Sequence, residues 1–252
     1  MESTPGPIGA AAAPLAGLQA LACLMIRRAP IALLALVLVT GLAGCTSGAK
    51  TTDLPAADAL LSAAATAMGQ VSTVHLAVET AGDVSLLPVR RVEGSLTRDG
   101  SAQGTVQLEQ GGGVAEYAFV IVGGKLYLKG ATGGYQKYDA SFASSVYDTS
   151  GILDPERGVA KLLATATRPK TEARESVNGT DAYRVSATFE PARVVALVRG
   201  AGSGATGVVW IGADRKLLLR ARFVLPATGG KAPATVTVTF TEIDKPVSIS
   251  AP

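Results

Sequence analysis

The sequence predicts an α+β domain made of a single curved antiparallel sheet with helices on its apolar face. From residue 71 onward, most segments alternate apolar with polar residues, as half-buried strands do. Turn signals such as Gly123-Gly124 and Asn178-Gly179 separate these segments, and hairpin turns join neighbouring strands in antiparallel order. Helix-forming segments interrupt the strands at three places. One apolar and one polar face per strand fits a sheet that is covered on a single side.

The first 44 residues have the pattern of an export signal. The basic pair Arg27-Arg28 precedes an apolar run over residues 30–42, and Leu42-Ala43-Gly44 leads into Cys45. A cysteine at this place is typical of bacterial lipoprotein signals, in which cleavage occurs before a diacylglyceryl cysteine that also receives groups such as palmitate. The alternative is a transmembrane anchor, but about 13 residues in the apolar run are fewer than the roughly 20 that span a bilayer.

This signal divides the chain into three parts. Residues 1–44 form an N-terminal extension plus the signal peptide, residues 45–52 a flexible tether, and residues 53–252 the folded domain. Translation begins at Met1 or at Met25, where the sequence resembles the natural start of a signal peptide. We expect the chain to be lipid-anchored at the outer face of the cytoplasmic membrane, in a periplasm-like space, since two or three acyl chains anchor a protein stably.

Charge and cysteine usage exclude several classes of function. The chain has 23 basic and 20 acidic residues, and removal of residues 1–44 leaves 21 and 19. So small a surplus gives no support for binding to nucleic acid. Cys23 lies within the removed segment and Cys45 would be lipidated, so no cysteine remains for a disulfide and the domain must be stable through packing.

Three helices are expected. Ala- and Leu-rich residues 56–68 predict the first, with Gly69 as its stop and Asp53 or Asp58 as its cap. The second starts at Asp154-Pro155 and runs to about residue 166.

The third helix covers residues 192–199 after Pro191. Residues 135–152 are expected to be irregular and to form either a lid or entrance or a plain surface loop. Strands are predicted at 71–79, 92–96, 105–109, 115–121, 125–129, 171–177, 182–189, 207–211, 216–225 and 234–242.

The residues offer no catalytic or metal-binding constellation. His75 is the only histidine, and the alternation places it on the polar face of the first strand, so we interpret it as an exposed strand residue rather than a general base. A hydrolase would need His75 buried beside a serine and an acid. One histidine with scattered carboxylates gives no metal ligand set, and Gly111-Gly112-Gly113 lies between strands and is a turn rather than a phosphate loop. We therefore expect no enzyme, no cofactor and no metal.

The aliphatic face of the sheet has two interpretations. It is either an ordinary packed core or the wall of a cavity for an apolar ligand, and the residues alone leave both open. Several segments, in their order and spacing, resemble the LppX/LprAFG family of mycobacterial lipoproteins over residues 42–250. These segments are Leu42-Ala43-Gly44-Cys45, 71–75 (VSTVH), 119–127 (FVIVGGKLY), 152–160 (ILDPERGVA), Val177-Asn178-Gly179 and Val208-Val209-Trp210-Ile211.

The resemblance implies a half-barrel whose helices cover the concave apolar face and enclose a hydrophobic cavity, so that residues 53–252 are a lipid-binding domain. It also implies a monomer that binds acylated glycolipids or other long-chain envelope lipids and moves them across the cell envelope, with an inner-membrane exporter as a candidate partner. The headgroup, the number of acyl chains and the direction of transport stay open. By alternation, the expected lining is Val106, Leu108, Phe119, Ile121, Leu162, Leu163, Val185, Phe223, Val236 and Val238.

Other classes of function remain possible at this stage. A structural or signalling envelope lipoprotein would have a solid core and no co-purifying lipid. An accessory partner of an export transporter could have the same surface without a cargo cavity.

Overall fold

The computed structural model describes residues 54–82, 89–139, 141–142, 148–197, 205–225 and 233–252. The chain divides into two compact units, Met1–Ala49 and Lys50–Pro252, and all described residues belong to the second. Cys45 and the expected tether therefore lie outside the described residues, and the signal, its cleavage and the lipidation remain predictions.

The described domain is built mainly of strands. Its helices are α1 (Ala57–Gln70), α2 (Val159–Ala164) and α3 (Pro191–Leu197), with a single 3₁₀ turn at Thr149–Gly151. Its strands are β1 (Thr73–Ala81), β2 (Val89–Thr97), β3 (Ala102–Gln110), β4 (Gly113–Val122), β5 (Lys125–Lys129), β6 (Gln136–Asp139), β7 (Thr167–Val177), β8 (Thr180–Phe189), β9 (Ala205–Gly212), β10 (Leu218–Leu225) and β11 (Ala234–Thr241).

All these strands form one open antiparallel sheet. The order is β6-β5-β4-β3-β2-β1-β11-β10-β9-β8-β7, so each strand pairs with its sequence neighbour and the first strand pairs with the last. The sheet does not close into a barrel, because β6 and β7 stand at its two edges. The predicted fold class, an α+β domain on a single antiparallel sheet, is confirmed.

The helices lie on one side of this sheet. Helix α1 buries Leu60, Leu61, Ala64 and Met68, and it packs against α2 and against β7 and β9. Apart from the adjacent pair Leu60 and Leu61, these buried positions recur every three or four residues, which places them on one face of the helix. In the described part of the chain, no helix is long and apolar enough to cross a membrane.

The start of α1 differs from the prediction. Its N-cap residue is Ala56, whose side chain makes no capping hydrogen bond, and Asp58 lies inside the first turn. Asp58 is therefore not the cap, although a carboxylate in the first turn still interacts favourably with the helix dipole. The other candidate, Asp53, lies outside the described residues.

The second helix is shorter than predicted. Asp154 does accept hydrogen bonds from the backbone N–H groups of Glu156 and Arg157, at 2.8 and 3.0 Å, but these close a turn that precedes α2. The helix begins only at Val159 because Gly158 packs tightly against the 3₁₀ turn, where a Cβ would overlap the carbonyl oxygen of Ile152.

Two strand predictions also need correction. Residues 136–139, within the segment expected to be irregular, form the edge strand β6, which pairs with β5. Strand β7 begins at Thr167, before Pro169, rather than at Thr171. An edge strand tolerates proline because one side of its backbone needs no partner, and the register of β7 shifts between Thr167 and Lys170, with Arg168 at a φ of 52°.

Candidate functional site

The pairing register defines one continuous apolar row across the concave face, the face that the helices cover. Residues directly opposite each other on neighbouring strands point to the same side of a sheet. Following the partners from β8 to β4 therefore gives a single row on one face, whose members are Val185, Val209, Ala221, Val238, Val78, Val92, Val106 and Tyr117.

One half of this face is a packed core. Val185 and Phe223 are 0% and 2% exposed, and the ring of Phe223 meets that of Phe189 edge-on with 5.5 Å between centroids. Leu162 and Leu163 of α2 pack into the same cluster and are each 1% exposed. Over β8 to β10, and at Val236 and Phe240 of β11, the domain thus fills its concave face with its own side chains.

The other half of the face keeps accessible apolar surface. Val92, Val106, Leu108 and Tyr117, on β2 to β4, are all only half-buried. Phe119, one step along β4, is also half-buried and packs against the margin of the core. Accessible aliphatic and aromatic groups that continue directly from a core are a surface on which an apolar ligand gains by burial.

The structure places all ten expected lining residues on the concave side or on the helix facing it, but in two environments. Five are fully buried core residues: Leu162, Leu163, Val185, Phe223 and Val236. Five are half-buried: Val106, Leu108, Phe119, Ile121 and Val238. Sequence reasoning omitted Val92 and Tyr117 from the lining, although each lies directly opposite Val106. Alternation already places Tyr117 on the same face of its strand as Phe119 and Ile121, and the register adds that Val92 and Tyr117 flank Val106.

A pair of glycines lies in the accessible half. Gly94 on β2 is directly opposite Gly104 on β3, between Leu76 and Phe119 in the same cross-strand row. The backbones approach so closely here that a Cβ on Gly104 would overlap the carbonyl oxygen of Glu93 and lie 2.6 Å from the Cα of Gly94. Two adjacent strands therefore present backbone without side chains to the concave side at this position.

The opposite, convex face is polar. His75 Nδ1 lies 3.2 Å from the Ser95 hydroxyl, and its Nε2 lies 3.4 Å from a carboxylate oxygen of Glu93. Arg91 donates to the same carboxylate at 2.7 Å. Hydrogen bonds from Arg91 and, to a lesser extent, from His75 lower the pKa of Glu93 below its usual value.

Ser95, His75 and Glu93 are the residue types of a hydrolytic triad. The alternation of β1 did not predict that these three side chains meet. Ser95 lies in β2, between β1 and β3, and is paired with His75 on one side and Gln103 on the other. The backbone N–H groups around it belong to these ladders, so they are not free to hold an oxyanion. The arrangement is a cross-strand polar network on the outside of a sheet.

The convex face also contains the sole tryptophan. Trp210 is buried with Val177 and Ala182, and the guanidinium groups of Arg220 and Arg222 lie 5.8 and 5.6 Å from its ring. The prediction that Trp210 is a core or rim residue agrees with this position.

A 370 Å³ depression on the sheet is lined mainly by polar residues, which are Glu79, Thr80, Ala81, Arg90, Arg91, Gln107, Thr235 and Thr237. Its arginines pair with carboxylates, Arg90 with Glu109 at 2.6 Å.

No group of three or more histidine, cysteine or carboxylate side chains that could hold a metal ion is found among residues 54–252 where the structure describes them.

An open antiparallel sheet with helices over part of an apolar concave face defines a half-barrel class of domain. The chain belongs to the LppX_LprAFG lipoprotein family, whose model matches residues 56–249. The crystal structure of LprF from Mycobacterium bovis is similar, with a TM-score of 0.68 at 24% identity over 78% of this chain and 96% of that one. LppX from Mycobacterium tuberculosis gives a TM-score of 0.58 at 23% identity over 78% and 99%. At these identities the likeness shows the fold.

Sequence relatives span nearly the whole chain. A lipoarabinomannan carrier protein LprG from Mycolicibacterium smegmatis is 35% identical over 83% of this chain and 89% of its own length. The protein of the same name from Mycolicibacterium hassiacum is 32% identical over 86% and 94%.

Proposed function

We propose that this chain is a membrane-anchored lipoprotein that binds the acyl chains of an acylated glycolipid, or of another long-chain envelope lipid, on the accessible half of its concave face. Bound lipid would be shielded there while the protein moves it across the envelope. The chain acts by binding, without catalysis.

The observation that most strongly supports this binding site is the change of burial along the apolar row. A single apolar row crosses eight strands, yet its members change from fully buried at Val185 and Val209 to half-buried at Val92 and Val106. A domain stabilised only by its own core gains nothing from extending such a row beyond its helices. A ligand with alkyl chains would complete the burial of Val92, Val106 and Tyr117.

The energetics favour a lipid over a small polar ligand. Each buried methylene contributes about 0.8 kcal/mol, so a chain of about 16 carbons contributes roughly 13 kcal/mol before the cost of ordering it. Directional polar contacts are then needed only at the headgroup. This agrees with a site lined by Val106, Leu108 and Phe119 and with the absence of charged members from the concave row described above.

The relatives support a carrier role. Proteins that are 32–35% identical over most of this chain are named as carriers of lipoarabinomannan, a lipoglycan. We propose the same class of cargo here, with lipidated Cys45 holding the domain at the outer face of the cytoplasmic membrane and an inner-membrane exporter as a partner.

The test is native mass spectrometry of the mature lipoprotein, purified in mild detergent from a mycobacterial host and followed by lipid extraction. A stoichiometric long-chain lipid, in addition to the mass of the acylated cysteine, is expected. A clean mass that does not change on incubation with envelope lipids would refute the carrier function and leave a structural or accessory lipoprotein.

A further inference from the structure

The edge hairpin formed by β5 and β6 exposes aromatic side chains. Tyr135 and Phe142 are 40% and 46% exposed and are the only aromatic residues among the large exposed hydrophobic residues of the described chain. Phe142 stacks on Tyr138 with 5.0 Å between ring centroids, so it is held in place beside β6. Two exposed rings near the same hairpin give it apolar groups that a partner surface could bury.

The same hairpin is basic. Lys125 is paired with Asp139 at 2.6 Å, and this contact lowers the pKa of Asp139. In the described part of the chain, Lys129 and Lys137 have no such ion pair. Lys129 instead lies 5.9 Å from the centre of the Tyr135 ring. Three lysines against one aspartate give the hairpin a surplus of two positive charges at neutral pH.

We propose that Lys129, Tyr135, Lys137 and Phe142, here named the edge patch, dock on the surface of an anionic lipid bilayer. Tyrosine and phenylalanine rings favour the boundary between headgroups and acyl chains, and lysine side chains reach from there to anionic headgroups. Charge complementarity selects this partner, because three lysines against Asp139 leave the hairpin with a net charge of +2, although Lys137 also acts on Asp139 through space.

The position of the edge patch in the sheet determines how docking would orient the domain on the membrane. Residue 54, the first one described, lies near the β7 edge, where the hydroxyl of Thr171 donates to the carbonyl of Pro55 at 2.7 Å. The edge patch lies on and around the hairpin of β5 and β6, at the other edge of the sheet. A tether entering at one edge and a docking patch at the other would fix the orientation of the domain on the membrane. Lys129 and Lys137 lie opposite Ala118 and Tyr127, on the convex side, whereas Phe142 stacks on Tyr138, which shares a cross-strand row with Ile121. Replacing the two lysines therefore tests docking without touching the concave row.

The experiment uses the mature lipoprotein anchored in vesicles, so that every variant is held at the membrane equally. A fluorophore is attached to a Gly134→Cys variant, because Gly134 has open space around it and adjoins Tyr135. Vesicle flotation first verifies anchoring, and quenching by bilayer-embedded brominated lipids then reports contact. Strong quenching is expected in phosphatidylglycerol vesicles, with at least about threefold less in phosphatidylcholine vesicles or at high salt.

Two controls keep the result specific. A label at Asp214→Cys, in the exposed turn between β9 and β10, should show little quenching in either vesicle. The K129E/K137E double variant should lose the quenching at residue 134, whereas K170E/K245E, with the same change of charge elsewhere, should retain it. Equal quenching in both vesicle types, or no quenching at residue 134 in floated protein, would overturn the proposal and point to a protein partner. Failure of flotation would instead contradict the lipid anchor.

Discussion

At the scale of single residues, the sequence predicts which face a side chain occupies better than which partners it meets. His75 lies on the polar face of β1, as its alternation predicts, but its contacts with Ser95 and Glu93 depend on the pairing of β1 with β2. Trp210 likewise lies in a strand as predicted, whereas its contacts with Arg220 and Arg222 follow from the register of β9 against β10. Neither partner set is encoded in the local pattern.

Arg98 provides a test at this scale. Its guanidinium donates to the carbonyl oxygens of Gly69 at 2.8 Å and Val71 at 3.0 Å, which ties the end of α1 to the turn between β2 and β3. Removing it leaves two half-buried carbonyls without partners. Arg98→Ala should therefore lower the free energy of unfolding by about 1–3 kcal/mol, measured by urea denaturation.

Lys129→Ala, which removes an exposed cation elsewhere, is the matched control and should stay within about 0.5 kcal/mol of the wild type. If the free energy of unfolding of Arg98→Ala equals that of Lys129→Ala, the guanidinium of Arg98 does not hold the end of α1.

At the scale of elements, hairpins were the most predictable feature because their turns have strict backbone requirements. Asn178 and Gly179 both have positive φ, 50° and 80°, as a type I′ turn requires. Strand β6 was missed because it is only four residues long and its apolar content is low. The late start of α2 was missed because it depends on the packing of Gly158 against the preceding 3₁₀ turn, which the local pattern did not reveal.

The glycine pair in β2 and β3 provides the test for elements. A methyl group on Gly104 has to displace the backbone of β2 at Glu93 and Gly94. Gly104→Ala should destabilise the domain by about 2 kcal/mol or more, measured by thermal or urea unfolding.

The control is Gly113→Ala in β4, where the nearest atom to a new Cβ lies 3.8 Å away and the φ is not positive. It should be neutral or slightly stabilising, since alanine reduces the entropy of the unfolded chain. Equal effects of the two substitutions would mean that β2 and β3 do not approach as closely as described.

At the scale of the whole molecule, local patterns predicted a single antiparallel sheet but not that its first strand pairs with its last. The pairing of β1 with β11, through partners such as Leu76 and Phe240, joins residues far apart in sequence. The division of the concave face into a packed half and an accessible half also depends on where α1 and α2 lie. For this reason alternation placed Val185 and Val106 together as lining residues, although only Val106 keeps accessible surface.

The central claim is that the accessible half of the concave face holds lipid, and one pair of variants tests it most directly. Val106→Trp puts a large ring over that surface, whereas Val224→Trp makes the same exchange at an exposed position on the convex face of β10. Bound lipid per protein is measured by native mass spectrometry of both mature variants, after circular dichroism confirms that each is folded. The account predicts that Val106→Trp loses most of its lipid and that Val224→Trp keeps the wild-type amount. Wild-type occupancy in a folded Val106→Trp protein would contradict it.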